Sequence, residues 1–213
     1  IKESSETEVQ VIIMSVGFSF VMDVIKKPLS MGADELILVE DKSLVDIDGV
    51  ASARVLAAAL RLNGPFDLIF CGRQASDWDQ SYVPMGIAEI LKIPCVSYAR
   101  RIELVEETVR IERTLTDGYQ TVEAPTPIVI TVSNELGETR YPTLRGIMSA
   151  SRTMPAKLSL SELAINPGEL APSLSLRHLF VPNRTKECEM ITGDDDEDAG
   201  RRLAIRLREE ALI

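Results

Sequence analysis

Aromatic side chains are scarce, with five Phe, four Tyr and one Trp making up 5% of 213 residues. That leaves no platform of rings on which single-stranded nucleic acid could stack. Basic charge is short as well: 23 Lys and Arg against 33 Asp and Glu give a net charge of −10. Phosphate backbones are held by Lys and Arg, so nucleic acid is excluded as a partner, and an anionic membrane surface is disfavoured for the same reason. Cys71, Cys95 and Cys188 are odd in number, far apart and without a CxxC pair. No metal knuckle or dithiol redox site is signalled, and the thiols read as buried or incidental in a reducing compartment. No apolar run approaches the roughly 18–20 residues of a membrane-spanning helix, so membrane insertion is not expected. The polar start from Ile1 to Glu8 does not resemble a signal peptide, which points to the cytoplasm, or the mitochondrial matrix in a eukaryote. The one histidine, His178, has no nucleophile beside it, and Walker A, HExxH and GxSxG motifs are missing. Enzymatic catalysis is therefore not expected.

What is present is an ordinary globular composition, 45% hydrophobic and 26% charged. The length suffices for one α/β domain, or a domain plus an arm. Val9 to Val16, Leu36 to Val39, Asp67 to Cys71 and Cys95 to Ala99 read as short buried strands. Between them, Phe20 to Met31, Val50 to Leu62 and Val83 to Leu91 read as helices, the first blemished by Pro28. Alternating strand and helix predicts an α/β fold with a mostly parallel twisted sheet and helices on both faces. Arg101 to Thr114 reads as two strands around a turn at Glu106 and Glu107. Tyr119 to Glu123 and Pro127 to Ser133 add two more, taken together as an antiparallel extension. From Glu135 onward proline and glycine recur, as expected of a functional loop or an extended arm. The expected domains are an α/β nucleotide-binding domain over 1–155 and a C-terminal arm and helix over 156–213. The closing helix, from about Asp196 to Leu212, starts in acid that complements its dipole. Its stripe of Ala199, Leu203 and Leu207 packs either on its own domain or on a partner.

The most informative run is CGRQASDWDQ, Cys71 to Gln80, between a strand and a helix. Open α/β sheets bind ligands at the carboxyl ends of their strands. Gly72 allows a tight exit from the strand, and the amides before the helix could hold a phosphate without a lysine. Ser76 and Ser81 offer hydroxyls, while Asp77 and Asp79 are suited to capping amides and fixing the loop. On these residues alone, a structural turn and a nucleotide loop are equally good readings.

That run, followed by GIAEIL at Gly86 to Leu91, resembles the adenine-nucleotide loop of the electron-transfer flavoprotein β subunit. RYPTLRGIM, Arg140 to Met148, resembles that subunit's partner-recognition loop, and MGAD at Met31 to Asp34 matches a phrase of the family. Leu179 to Ile213 resembles its C-terminal arm. The resemblance implies an adenine nucleotide alpha-hydrolase-like fold and a non-catalytic electron carrier. It implies pairing with a larger α subunit, FAD shared with that subunit, and an AMP, or in bifurcating members a second FAD, in this chain. Electrons would arrive from a flavin dehydrogenase of the acyl-CoA dehydrogenase type and leave to a quinone-linked oxidoreductase. The implied cofactor-binding residues are Cys71, near the adenine, with Gly72, Gln74, Ala75, Asp77, Trp78, Asp79, Gln80, Ser81, Tyr82 and Val83. Of these, Ala75, Trp78, Ser81, Tyr82 and Val83 fall on the phosphate-cradling positions. The implied partner-recognition residues are Arg140, Tyr141, Pro142, Thr143, Leu144, Ile147 and Met148, with Leu144 inserting into the dehydrogenase. Where the family has Gln and Val-Gly, this chain has Tyr82, Val83 and Pro84. Where bifurcating members have Gly and Thr it has Trp78 and Gln80, which favours AMP. A further family strand and loop would precede Ile1. The alternatives are a bifurcating subunit and a stand-alone adenine-nucleotide sensor of the universal-stress type.

Overall fold

A computed structural model describes residues 8–182 and 188–213. These fall into two compact units divided between Ser175 and Leu176.

The first unit opens with β1 (Ile12–Gly17). Two single-turn helices follow, α1 (Met22–Ile25) and α2 (Lys27–Ser30), where the sequence suggested one helix over Phe20 to Met31. Pro28, in the first turn of α2, cannot donate an i→i−4 bond and restarts the helix. Gly32, at φ +111°, then turns the chain into β2 (Glu35–Glu40). In the same MGAD phrase Asp34 accepts the Val11 N–H at 2.7 Å, pinning the approach to β1.

α3 (Gly49–Asn63) begins on Asp48, whose carboxylate caps the Ala51 N–H at 2.9 Å. It is buried on two sides. Ala51, Val55 and Ala59 pack with Val39 and with Leu160, Leu163 and Leu170, while Ala53 faces Ile87, Ala88 and Val129. A helix so enclosed needs small residues, which explains its alanines. β3 (Leu68–Gly72) leads through the 73–82 loop to α4 (Val83–Leu91). Gly86 lets α4 approach closely, since a Cβ there would lie 2.8 Å from that of Ala53.

β4 (Cys95–Val105), β5 (Thr108–Leu115) and β6 (Gly118–Pro125) form an antiparallel meander, as the sequence suggested. β7 (Ile128–Val132) corrects the reading of Pro127 to Ser133 as antiparallel. It runs parallel to both β3 and β4 and lies between them, giving the order β3-β7-β4-β5-β6. Its Ile128, Val129, Ile130 and Thr131 are all buried, as befits a central strand covered on both faces.

α5 (Leu144–Arg152) and β8 (Ala156–Leu158) complete the α-helices and strands of this unit among the described residues. β8 pairs parallel with β2, so β1, β2 and β8 form a second, three-stranded sheet. Chain beyond residue 155 thus contributes to the first unit's core through β8, Leu160, Leu163 and Leu170. The α/β architecture with parallel strands and covering helices is as expected.

The second unit carries α6 (Asp196–Glu209), capped by Asp195 on the Asp198 N–H at 2.8 Å. None of its residues is buried, and Leu203 and Ile205 are about half exposed.

Candidate functional site

The 73–82 loop leaves the carboxyl ends of β3 and β7. Its first amide is fixed across both strands, Arg73 N–H donating to the Val132 carbonyl at 3.0 Å. The loop closes on itself where Ala75 N–H reaches the Gln80 carbonyl at 3.1 Å and Gln74 Nε2 donates to Asp79 Oδ1 at 2.8 Å. Asp77 Oδ1 accepts the Trp78 N–H at 2.8 Å. Both aspartates therefore shape the loop. Asp79 takes the left-handed conformation at φ +51°, a place where Asp is tolerated and bulkier residues are strained.

The N-terminus of α4 has no side-chain cap. Among the described residues, the main-chain amides of Gln80, Ser81 and Tyr82 have no acceptor within the chain. Consecutive unsatisfied amides ahead of a helix form an anion site. The Ser81 hydroxyl stands beside them, and an added Cβ at Gly72 would meet nothing within 4 Å. Gly72 has no left-handed backbone, so its value lies in clear space and not in a tight turn. Residues 72–79 are exposed, Trp78 by 55%, so the loop is an open shelf. These features suit one phosphate of an adenylate, held by main-chain donors.

Cys71, at the end of β3, is mostly buried. Burial, with Cys95 nearby, pushes its thiol up to about 11, which leaves it protonated and unreactive.

Two neighbours escaped the sequence reading. Arg73 stacks over the Tyr98 ring at 5.1 Å, and Tyr98 is held at φ +63° by its N–H donating to the buried Thr131 hydroxyl at 2.9 Å. Asp48 is the second. Its Oδ2 accepts the Ser173 N–H at 2.6 Å while Oδ1 caps α3, so one carboxylate joins a helix start to the last turn of the unit. Only a left-handed residue in a strand and an Asp before an alanine-rich helix would have hinted at either.

The proposed recognition residues are partly helical, which corrects their description as a loop. Arg140, Tyr141 and Pro142 lie outside any helix or strand, the first two exposed and Pro142 half-buried, Thr143 caps α5 by accepting the Gly146 N–H at 3.0 Å, and Leu144, Ile147 and Met148 lie on α5 itself. Tyr141 and Leu144 are 93% and 83% exposed. α5 is seated on α2 through Gly146, where a Cβ would fall 2.5 Å from the Ser30 carbonyl oxygen. Arg145, Met148, Ser149, Arg152 and Thr153 line a shallow concavity along it. His178 lies in the second unit, edge-on to Phe180 with centroids 6.1 Å apart.

The sequence profile of the electron transfer flavoprotein domain matches residues 1–163. The chain is similar to the electron transfer flavoprotein subunit beta of Thermoanaerobacterium thermosaccharolyticum, 34% identical over 208 residues that cover 96% of this chain and 79% of that one. It is 32% identical over 207 residues to the subunit of the same name from Megasphaera elsdenii, covering 92% and 77%. It is 30% identical over 207 residues to the caffeyl-CoA reductase-Etf complex subunit CarD of Acetobacterium woodii, covering 96% and 79%.

Proposed function

The chain belongs to the electron transfer flavoprotein family, as a beta-type subunit, and we propose that it holds an AMP on the 72–83 loop within a heterodimer. Beta subunits of this family are electron carriers and not catalysts. The observation that carries the nucleotide reading is the row of unsatisfied amides at Gln80, Ser81 and Tyr82, ahead of α4 and at the carboxyl ends of two parallel strands.

In this reading the larger α subunit and this chain share an FAD, which supplies the redox chemistry when bound. Gly72 leaves room for the nucleotide, the amides and the Ser81 hydroxyl hold its phosphate, and Cys71 walls the adenine. Gln74, Ala75, Asp77, Trp78 and Asp79 give the loop its shape, and Val83 starts the helix behind it. Arg140, Tyr141, Pro142, Thr143, Leu144, Ile147 and Met148 meet a flavin dehydrogenase. Leu144 is the anchor, since full burial of such a side chain is worth about 1.5–3 kcal/mol. Electrons pass from that dehydrogenase toward a quinone-linked oxidoreductase. The residues from 176 onward form the arm that docks on the α subunit.

A second reading, a bifurcating subunit with a second FAD, is favoured by the likeness to CarD of a caffeyl-CoA reductase complex. The bulk of Trp78 and the want of a hydroxyl at Gln80 weigh against it. Co-expression with an α subunit followed by nucleotide extraction tests both. A yellow heterodimer with one FAD and one AMP is expected, and this chain alone should be colourless. Two FAD per heterodimer would establish the second reading. A stable homodimer of this chain holding ATP would overturn both.

A further inference from the structure

Tyr82 is the residue before α4, yet its side chain caps nothing. The ring lies instead over Gly49, the first residue of α3, where an added Cβ would come 2.6 Å from Cε2 and 3.0 Å from Cζ. Its hydroxyl is fully buried and has no hydrogen-bond partner. Burying an unsatisfied hydroxyl is unfavourable, so packing of the ring must hold it there.

The contact brings two helix N-termini together. α3 starts at Gly49 and α4 at Val83, and a Cβ at Gly49 would also lie 3.0 Å from Val83 Cγ2. Two adjacent helix starts are where two successive phosphates of a larger nucleotide would each find main-chain donors. In this chain only the α4 side is open. On the α3 side the Tyr82 ring fills the space, and the buried Asp48 carboxylate already accepts the Ala51 and Ser173 amides and would repel a phosphate.

We propose that Tyr82, seated on Gly49, is the specificity-determining residue of the nucleotide site. It closes the place of a second phosphate and limits the site to a nucleoside monophosphate. The proposal rests on the reading of the 72–83 loop as an adenylate site and adds the residue pair that sets which adenylate fits.

The test is titration of the nucleotide-free complex with AMP, ADP and FAD in wild type, Tyr82→Ala, Gly49→Ala and Tyr82→Phe. Wild type should bind AMP at least about tenfold more tightly than ADP or FAD, a gap of about 1.4 kcal/mol. Tyr82→Ala should narrow that preference by a similar factor. Gly49→Ala should act in the same direction, because its Cβ cannot coexist with the seated ring, and it keeps the test open should Tyr82→Ala not fold. Tyr82→Phe should keep the wild-type preference, since the ring and not the hydroxyl fills the space. AMP binding with the same preference in wild type, Tyr82→Ala and Gly49→Ala overturns the proposal and leaves the adenylate site standing. So does wild type that takes ADP as well as AMP. Failure of every nucleotide to bind any of the four proteins overturns the site reading along with the proposal.

Discussion

Replacing Asp48 by alanine probes how the first unit holds its last turn. The carboxylate is buried, and its two oxygens serve two segments far apart in sequence, Oδ1 the Ala51 amide and Oδ2 the Ser173 amide. A helix cap is worth about 0.5–2 kcal/mol. A hydrogen bond to a charged group adds about 1.5–3 kcal/mol. Asp48→Ala should therefore cost about 2–5 kcal/mol. At about 2–4 °C per kcal/mol for a chain of this size, Tm should fall by about 4–20 °C. Asp48→Asn should lie between, because one oxygen can still cap α3 while the amide NH2 faces the Ser173 N–H, donor against donor. Acid gives the control. Burial raises the Asp48 carboxyl, but the amides of Ala51, Ser173, Leu174 and Val50 together bring it below the ordinary carboxylate value. A depressed carboxyl contributes stability above its unfolded value and loses it as pH falls through the folded one. The gap between wild type and Asp48→Ala should thus close below about pH 4. Thermal unfolding at pH 7 and along an acid series measures this, with amide exchange over residues 171–175 reporting release of the last turn. A variant melting within about 1 °C of wild type at pH 7 would refute the reasoning, set against the ~2 °C per kcal/mol it assumes. An acid-independent deficit would do the same.

Gly146→Ala drives a Cβ to 2.5 Å from the Ser30 carbonyl oxygen, so α5 must lift from α2. A loss of about 1–3 kcal/mol in chemical denaturation is expected, with weakened dehydrogenase coupling; unchanged stability would show that α5 is seated otherwise. Leu144→Ala, at a residue 83% exposed, should leave stability and bound flavin unchanged and slow reduction by the dehydrogenase, and loss of flavin would count against docking. In a thiol titration of native protein near pH 8, exposed Cys188 should react at once. Cys71 and Cys95, both raised by burial, should wait for unfolding, and three fast thiols would show their strands to be open.

Most strands of the first hundred residues were legible because each is a short apolar run bounded by glycine, proline or aspartate, and α3 and α4 because their apolar runs follow such strands, whereas the helix over Phe20 to Met31 proved to be two single turns. Strand order was not legible. The continuous apolar run Ile128–Val132 suits a strand covered on both faces, but nothing within it names its neighbours, β3 and β4, or its direction relative to them. α5 was hidden by Pro142 and Gly146, which read as loop. Yet Pro142 precedes the cap, and Gly146 is demanded by Ser30, distant in sequence. At the candidate site, the strand–loop–helix setting of Cys71 to Gln80 could be read locally, as could the structural roles of Asp77 and Asp79. The seat of Tyr82 on Gly49 and the double duty of Asp48 could not, because each joins residues more than thirty positions apart.

The place of β7 also dictates an order of assembly. β3 emerges from the ribosome early, yet its neighbour in the sheet, β7, ends only at Val132. The β4–β5–β6 meander closes through local contacts and can form early, whereas pairing of β3 requires a long chain closure. The first bond of the nucleotide loop, from Arg73 to the Val132 carbonyl, shares that delay. A nascent chain halted before residue 128 would own every side chain of the loop but not the strand that anchors its first amide.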